Sequence, residues 1–208
     1  MPPDDSEPLD DDALARLAES VRQLIEVTVT LDASPERLAD AAAQIDAVVA
    51  ALRDSVPNPP PPRYPGGPTA ADVFPYDYVM GRWNPLAAPI RFTWQDPLAV
   101  GIARFGTAYE GPPGCVHGGA IAAAFDQVLN VANLMSGNPG PTARLETRFR
   151  APTPLHREVR FEGWVTAREE RKVRSAGRLL VDGTVTAEAE GLFIVIDVER
   201  VMRLLEPR

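Results

Sequence analysis

Hydrophobic positions along the chain fall into two textures. Leu14, Leu17, Val21, Leu24, Thr28 and Leu31 recur at alternating spacings of three and four, which predicts a helix with a narrow apolar stripe. Ser34 then fits an N-cap with Pro35 at the first helical position, and Leu38, Ala41, Ile45, Val48 and Leu52 repeat the spacing. Two such helices joined by a short turn predict an αα-hairpin over residues 13–56. Beyond Asp72, β-branched and aromatic residues alternate with polar ones. Strands are expected at 90–95, 99–105, 144–150, 159–167, 171–181 and 184–198, with Asp182-Gly183 as a hairpin turn. Among them lies Gly118 to Met135, apolar or alanine on nearly every side. A helix of that kind has to be enclosed, so the pattern predicts an α+β fold with an antiparallel sheet around one central helix.

Two segments do not belong to these elements. Residues 1–12 carry six carboxylates and no base, and read as a disordered acidic leader. Residues 57–71 hold Pro57-Asn58-Pro59-Pro60-Pro61-Pro62 and Pro65-Gly66-Gly67-Pro68. Proline's fixed φ and missing donor forbid helix there and favour an extended spacer, with a docking peptide for a proline-recognising partner as the other reading. The expected organisation is therefore leader 1–12, hairpin 13–56, linker 57–71 and one α+β domain 72–208.

Charge narrows the function classes. The chain has 208 residues and a formal net charge of −8, with the excess acid confined to residues 1–56. A net acidic chain without a basic stripe argues against nucleic-acid binding. The acidic start is the reverse of a signal peptide, and no apolar run reaches the roughly 18 residues of a membrane span. A cytoplasmic protein is the expectation. One cysteine and two histidines point to neither a disulfide nor a metal site, and no metal or redox cofactor is expected.

Candidate chemistry concentrates where the central helix begins. Gly111-Pro112-Pro113-Gly114-Cys115-Val116-His117-Gly118-Gly119 runs into the apolar helix, which carries a single carboxylate, Asp126. The first amides of a helix lack intrahelical partners and sit at its partially positive end, and glycines let an oxygen approach them closely. That is the arrangement of an oxyanion hole. Asp126 in the middle of an apolar helix is either a catalytic group or a structural one paired with a cation such as Arg144. His117 reads as a proton shuttle or a structural hydrogen-bonding residue. Cys115, two positions before it, admits a Cys–His nucleophilic pair or a small packed thiol. Arg168, Arg171, Lys172, Arg174 and Arg178 cluster about Glu169-Glu170; this is a solvated hairpin or a grip on an anionic ligand. His156 reads as surface.

The run from Cys115 through Ile121, with Asp126, Thr142-Ala143-Arg144-Leu145, Phe149-Arg150-Ala151-Pro152-Thr153-Pro154-Leu155 and the Asp182-Gly183 turn, resembles the hot-dog-fold acyl-CoA thioesterases of the phenylacetate-pathway type, including the branch acting on long fatty acyl-CoAs. The resemblance covers residues 74–198 and leaves out the N-terminal helices. It implies a sheet wrapped around one helix, a homodimer or dimer of dimers, and hydrolysis of an acyl-CoA in fatty acid metabolism. It further implies that the amide of Gly118 or Gly119 polarises the thioester carbonyl and that Asp126 from the partner's helix drives water onto it. Thr142 would orient the water or the carboxylate, and His117 would position the loop or touch the thioester. Arg144, Arg168, Arg171, Lys172 and Arg174 would hold coenzyme A phosphates. Some members carry an asparagine or glutamine shortly before the histidine, where this chain has Glu110, Gly111, Pro112, Pro113 and Gly114. A non-catalytic acyl-CoA-binding protein and a hot-dog enoyl-CoA hydratase or dehydratase are the alternatives. The N-terminal hairpin is expected to serve oligomerisation or to cover the acyl channel.

Overall fold

The two N-terminal stripes form helices α1 (Asp11–Thr30) and α2 (Pro35–Arg53), seen in a computed structural model that describes residues 11–57 and 74–195. The leader through residue 10, the linker from residue 58 and the chain end from residue 196 lie outside the described residues. Ser34 caps α2 as expected, its Oγ accepting from the Arg37 amide at 3.4 Å. The two helices differ in how they meet the rest of the molecule. Ala18 of α1 is buried, and the Arg22 guanidinium donates to the Arg82 carbonyl at 3.0 Å. No residue of α2 is buried.

Six strands make one antiparallel sheet: β1 (Ile90–Gln95), β2 (Leu98–Arg104), β3 (Thr142–Phe149), β4 (Glu158–Glu169), β5 (Lys172–Val181) and β6 (Thr184–Ile194). Their spatial order is β1-β2-β4-β5-β6-β3. The central helix α3 (Gly118–Met135) occupies the span read from the sequence. It connects β2, beside one edge, to β3, at the other, and so crosses the sheet and touches every strand.

The helix sits deep because the strands beneath it are lined with small residues. Ala99, Gly163, Gly177 and Ala189 are directly opposed across β2, β4, β5 and β6. A Cβ at position 163 would stand 3.1 Å from the Val128 carbonyl oxygen, and one at position 177 would stand 3.1 Å from the Leu129 Cδ2. Leu129, Phe125 and Val128 are fully buried in this seam. Phe125 meets Phe161 edge-to-face, with centroids 5.3 Å apart, the arrangement that ring quadrupoles favour. Ser175 donates to Asn133 Oδ1 at 2.6 Å and pins the far half of α3 to β5.

On the opposite side of the sheet, Glu162 is buried between Arg160 and Arg178, each 2.7 Å away. Burial works against its charge, but the two guanidiniums outweigh it and hold the carboxyl below the usual glutamate value. The Asp182-Gly183 turn has both residues at positive φ, 49° and 80°, the geometry of a type I′ hairpin. The clearest shift from expectation is β3, which begins at Thr142 instead of 144 with a register irregularity between Thr142 and Arg144. Those two extra residues bring the strand's first side chain against α3.

Candidate active site

The loop into α3 is fixed by backbone hydrogen bonds before any side chain acts. Gly111 N–H donates to the Cys115 carbonyl at 2.9 Å, closing the turn, and Gly114, at φ 72°, donates to Glu110 Oε1 at 2.6 Å. The loop is then sewn to its neighbours: Val116 N–H donates to the Thr153 carbonyl and His117 N–H to the Tyr109 carbonyl, both at 2.8 Å. Pro112 and Pro113 stiffen the approach.

His117 occupies the N-cap of α3 with extended backbone, φ −61° and ψ 132°. Its Nδ1 accepts the Gly119 amide at 2.9 Å, so a neutral ring carries its proton on Nε2. The Ala120 and Ile121 amides donate to the His117 carbonyl at 3.0 and 3.2 Å. Of the first four amides of the helix, three are thus satisfied. Only that of Gly118 has no partner among the described residues. It sits at the positive end of an 18-residue helix, with the half-exposed Phe149 ring close by; a Cβ at position 118 would meet that ring at 3.1 Å.

Asp126 lies eight residues further along the same helix, half-buried between Phe125 and Gln127. Thr142 Oγ1 donates to its Oδ1 at 2.6 Å, which leaves Oδ2 without a partner among the described residues. At a helix rise of about 1.5 Å per residue, Gly118 and Asp126 of one chain stand about 12 Å apart. They cannot both reach one carbonyl carbon.

A cavity of about 970 Å³ runs beside the first half of α3, within the size range of small-ligand sites. His117, Gly119, Ala120 and Ala123 form one wall, while Val79, Leu86 and Tyr109 form another. Burial pushes the Tyr109 phenol up, with the nearby Arg22 charge opposing. Its hydroxyl donates to the Ala87 carbonyl at 3.3 Å.

The cations expected to bind phosphates are placed away from this mouth. Arg144 pairs with Glu146 at 2.6 Å. Arg174 faces Glu169 at 3.6 Å, and Arg168 donates to the Ser136 carbonyl at 2.9 Å, at the C-cap of α3. Arg171 and Lys172 are exposed on the same β4–β5 hairpin. These four stand beyond the C-terminal end of α3, about 27 Å from Gly118 of their own chain. Cys115 is half-buried and forms no hydrogen bond with the His117 ring, which caps Gly119 instead. Among the described residues no cluster could hold a metal, and no helix is long and apolar enough to cross a membrane.

Four residues at the site were not singled out for it by sequence. Glu26 of α1 accepts the Thr107 and Ala108 amides at 2.7 and 3.0 Å. His156, at φ 58°, meets Thr107 Oγ1 at 3.2 Å through Nε2. Tyr109 holds His117, and Phe149 flanks Gly118. Only Phe149, inside the run that carried the resemblance, left a local signal.

Comparisons with known proteins find thioesterase relatives. The Thioesterase superfamily profile matches residues 113–189, from the glycine loop through β6. The acyl-coenzyme A thioesterase THEM4 of Bos taurus is 34% identical over 46% of this chain and 40% of its own length. THEM5 of Homo sapiens is 28% identical over 45% and 39%. The chain spans about two fifths of the length of these curated relatives. A thioesterase superfamily protein of known crystal structure superposes with a TM-score of 0.76 at 29% identity, covering 91% of this chain and 94% of its own. A match of that extent takes in N-terminal helical residues as well as the sheet and α3.

Two measurements check the local account. His117→Ala removes a cap and should lower unfolding free energy by about 1 kcal/mol, with His117→Asn restoring most of it; equal stability of the alanine variant would contradict the capping role. Burial works against the charge on Glu26, but the Ala108 and Thr107 amides outweigh it and hold its carboxyl below the usual value. Its stabilisation is therefore full above about pH 4.3 and fades as pH falls through the lower folded value. The thermal-midpoint difference between wild type and Glu26→Gln should be constant from neutral pH to that point and shrink below it.

Proposed function

We propose that this chain is a hot-dog protein of the thioesterase superfamily and that it hydrolyses an acyl-CoA to a carboxylic acid and free coenzyme A at sites shared between two copies. One observation carries the reading: α3 presents a single unpartnered amide at its start and a hydrogen-bonded carboxylate about 12 Å along. Two copies related by a twofold axis bring the Gly118 amide of one to the Asp126 carboxylate of the other.

In this mechanism the Gly118 N–H, reinforced by the helix dipole, binds the thioester carbonyl oxygen and stabilises the oxyanion that develops on it. Asp126, turned by its Thr142 hydrogen bond, takes a proton from water as the water oxygen bonds to the carbonyl carbon. The tetrahedral intermediate collapses, the carbon–sulfur bond breaks, and Asp126 returns the proton to the departing thiolate. His117 acts through the loop, since its Nδ1 is engaged by Gly119. Gly119 is a positioning residue for the same reason. Arg168, Arg171, Lys172 and Arg174 lie about 15 Å beyond Asp126 along its own α3 axis. They serve the nucleotide phosphates from the subunit that supplies the carboxylate, whereas Arg144, already paired with Glu146, contributes less.

Gly118→Pro tests the donor, with Gly118→Ala, which brings the same Cβ to 3.1 Å from the Phe149 ring but keeps its N–H, as the control. Proline suits the first helical position and the extended backbone of His117 before it, yet it has no N–H. Free-thiol release from acyl-CoA should fall about a hundredfold or more in Gly118→Pro and in Asp126→Asn, with thermal stability retained. Thiol release by wild type separates this reading from a binding protein, which releases none, and from a hydratase, which changes enoyl absorbance. Near-normal turnover in either variant would overturn the assignment.

A further inference from the structure

The N-terminal helix forms one side of the cavity that runs from the His117 loop. Ile25 and Gln23 of α1 line it together with Ala120 and Ala123 of α3, Val79 and the exposed Leu86. Alanines at 120 and 123, three apart, give α3 a shaved face on this side, in contrast to the Phe125, Val128 and Leu129 side that fills the sheet.

The roof is clamped down. The two carboxylate oxygens of Glu26 each accept one amide, from Thr107 and Ala108. These amides open the short 3-10 turn Thr107–Tyr109, whose Tyr109 carbonyl holds the His117 N–H. Gly106 makes the approach possible, because a Cβ there would stand 2.5 to 2.7 Å from the Glu26 carboxyl atoms. One contact therefore docks α1 and braces the loop that carries the oxyanion donor.

The charged groups on the α1 side are already matched within the protein. Arg22 pairs with Glu19 and donates to the Arg82 carbonyl, and Gln23 donates to Glu19 at 3.3 Å. Glu26 has its two amides. On α1 itself nothing asks for a charged or hydrogen-bonding ligand. The polar side chains that also line the cavity, Arg104, Glu110 and His156, come from the β2–α3 side and the segment before β4. Burying an unmatched polar group against the alanine, valine and isoleucine part of the wall would be costly.

We infer that α1 is part of the acyl site, a roof fixed by Glu26 over a cavity whose apolar wall takes the substrate's alkyl chain. The cavity leads from His117 and Gly119, next in the chain to the Gly118 donor, along Ala120 and Ala123. The inference rests on the thioesterase reading for the identity of the group at the mouth, but the cavity's preference for an alkyl chain can be measured without turnover. Each methylene group buried should raise affinity about fourfold, so affinity should climb with chain length until the cavity is full.

The test uses full-length wild type, Ala123→Phe, which fills the cavity from α3, and Ile25→Trp, which fills it from α1. Circular dichroism and thermal melts establish that each is folded. Calorimetric binding of laurate and the kcat/KM ratio of dodecanoyl-CoA to acetyl-CoA are the readouts. Wild type should bind laurate, and each folded variant should lose about tenfold or more in laurate affinity and a similar factor in the ratio. The Ile25→Trp variant carries the test alone if Ala123→Phe does not fold, since position 25 is only half-buried. Laurate affinity unchanged in folded Ile25→Trp, or no laurate binding by wild type, would overturn the inference. Variant-sensitive laurate binding without any thiol release would uphold the cavity and sink the hydrolytic reading instead.

Discussion

The structure depends on enclosing a helix that has almost no polar side. From Ala120 to Ala132, α3 offers solvent only parts of Ala120, Ala122 and Ala123, Asp126 and Asn130. Each large side chain removed from water along it contributes roughly 1.5–3 kcal/mol, which a half-solvated packing would forfeit. The sheet meets the demand by curling, and the row of small residues from Ala99 to Ala189 lets the helix sink until Leu129 and Val128 touch strand backbone. Topology follows from the same demand, since the chain enters the helix from β2 and leaves it into the opposite edge strand β3.

Enclosure also selects what chemistry the helix can do. A buried helix has two polar outlets here: the amides at its start and the one carboxylate midway. The loop hydrogen bonds leave a single donor, Gly118, free at the first outlet, while Thr142 orients the second. Helix rise keeps the two outlets of one chain apart, so a reaction that needs both requires a second copy of the chain. The proposed mechanism thus grows out of the packing. The α1 roof adds the third component, an apolar wall held by the Glu26 carboxylate.

What the sequence disclosed, and what it withheld, separates by range. The all-round apolar character of 118–135 gave the helix its observed bounds, and Asp182-Gly183 gave its turn, because both depend on neighbours in sequence. The glycine amides were legible as a pair, but the division of labour between them was not. It comes from the His117 rotamer, which occupies Gly119 and frees Gly118. Glu26 was invisible because its partners lie 81 and 82 residues away, and its own stripe assigned it only to the polar face of α1. The cationic hairpin was legible as a cluster, yet its place at the far end of α3 is a property of the β4–β5 register. Both N-terminal helices form over the spans that their stripes predict, but the stripes did not disclose that α1 docks on the domain while α2 buries none of its residues.

Complementation of two inactive variants tests the shared site most directly. A heterodimer of one Asp126→Asn chain and one Gly118→Pro chain holds one doubly defective site and one intact site if donor and carboxylate come from different copies. Purified through two different tags, it should recover about half of wild-type turnover per dimer while each parent homodimer stays inactive. A heterodimer as inactive as its parents, or a wild-type protein fully active as a monomer, would contradict the account.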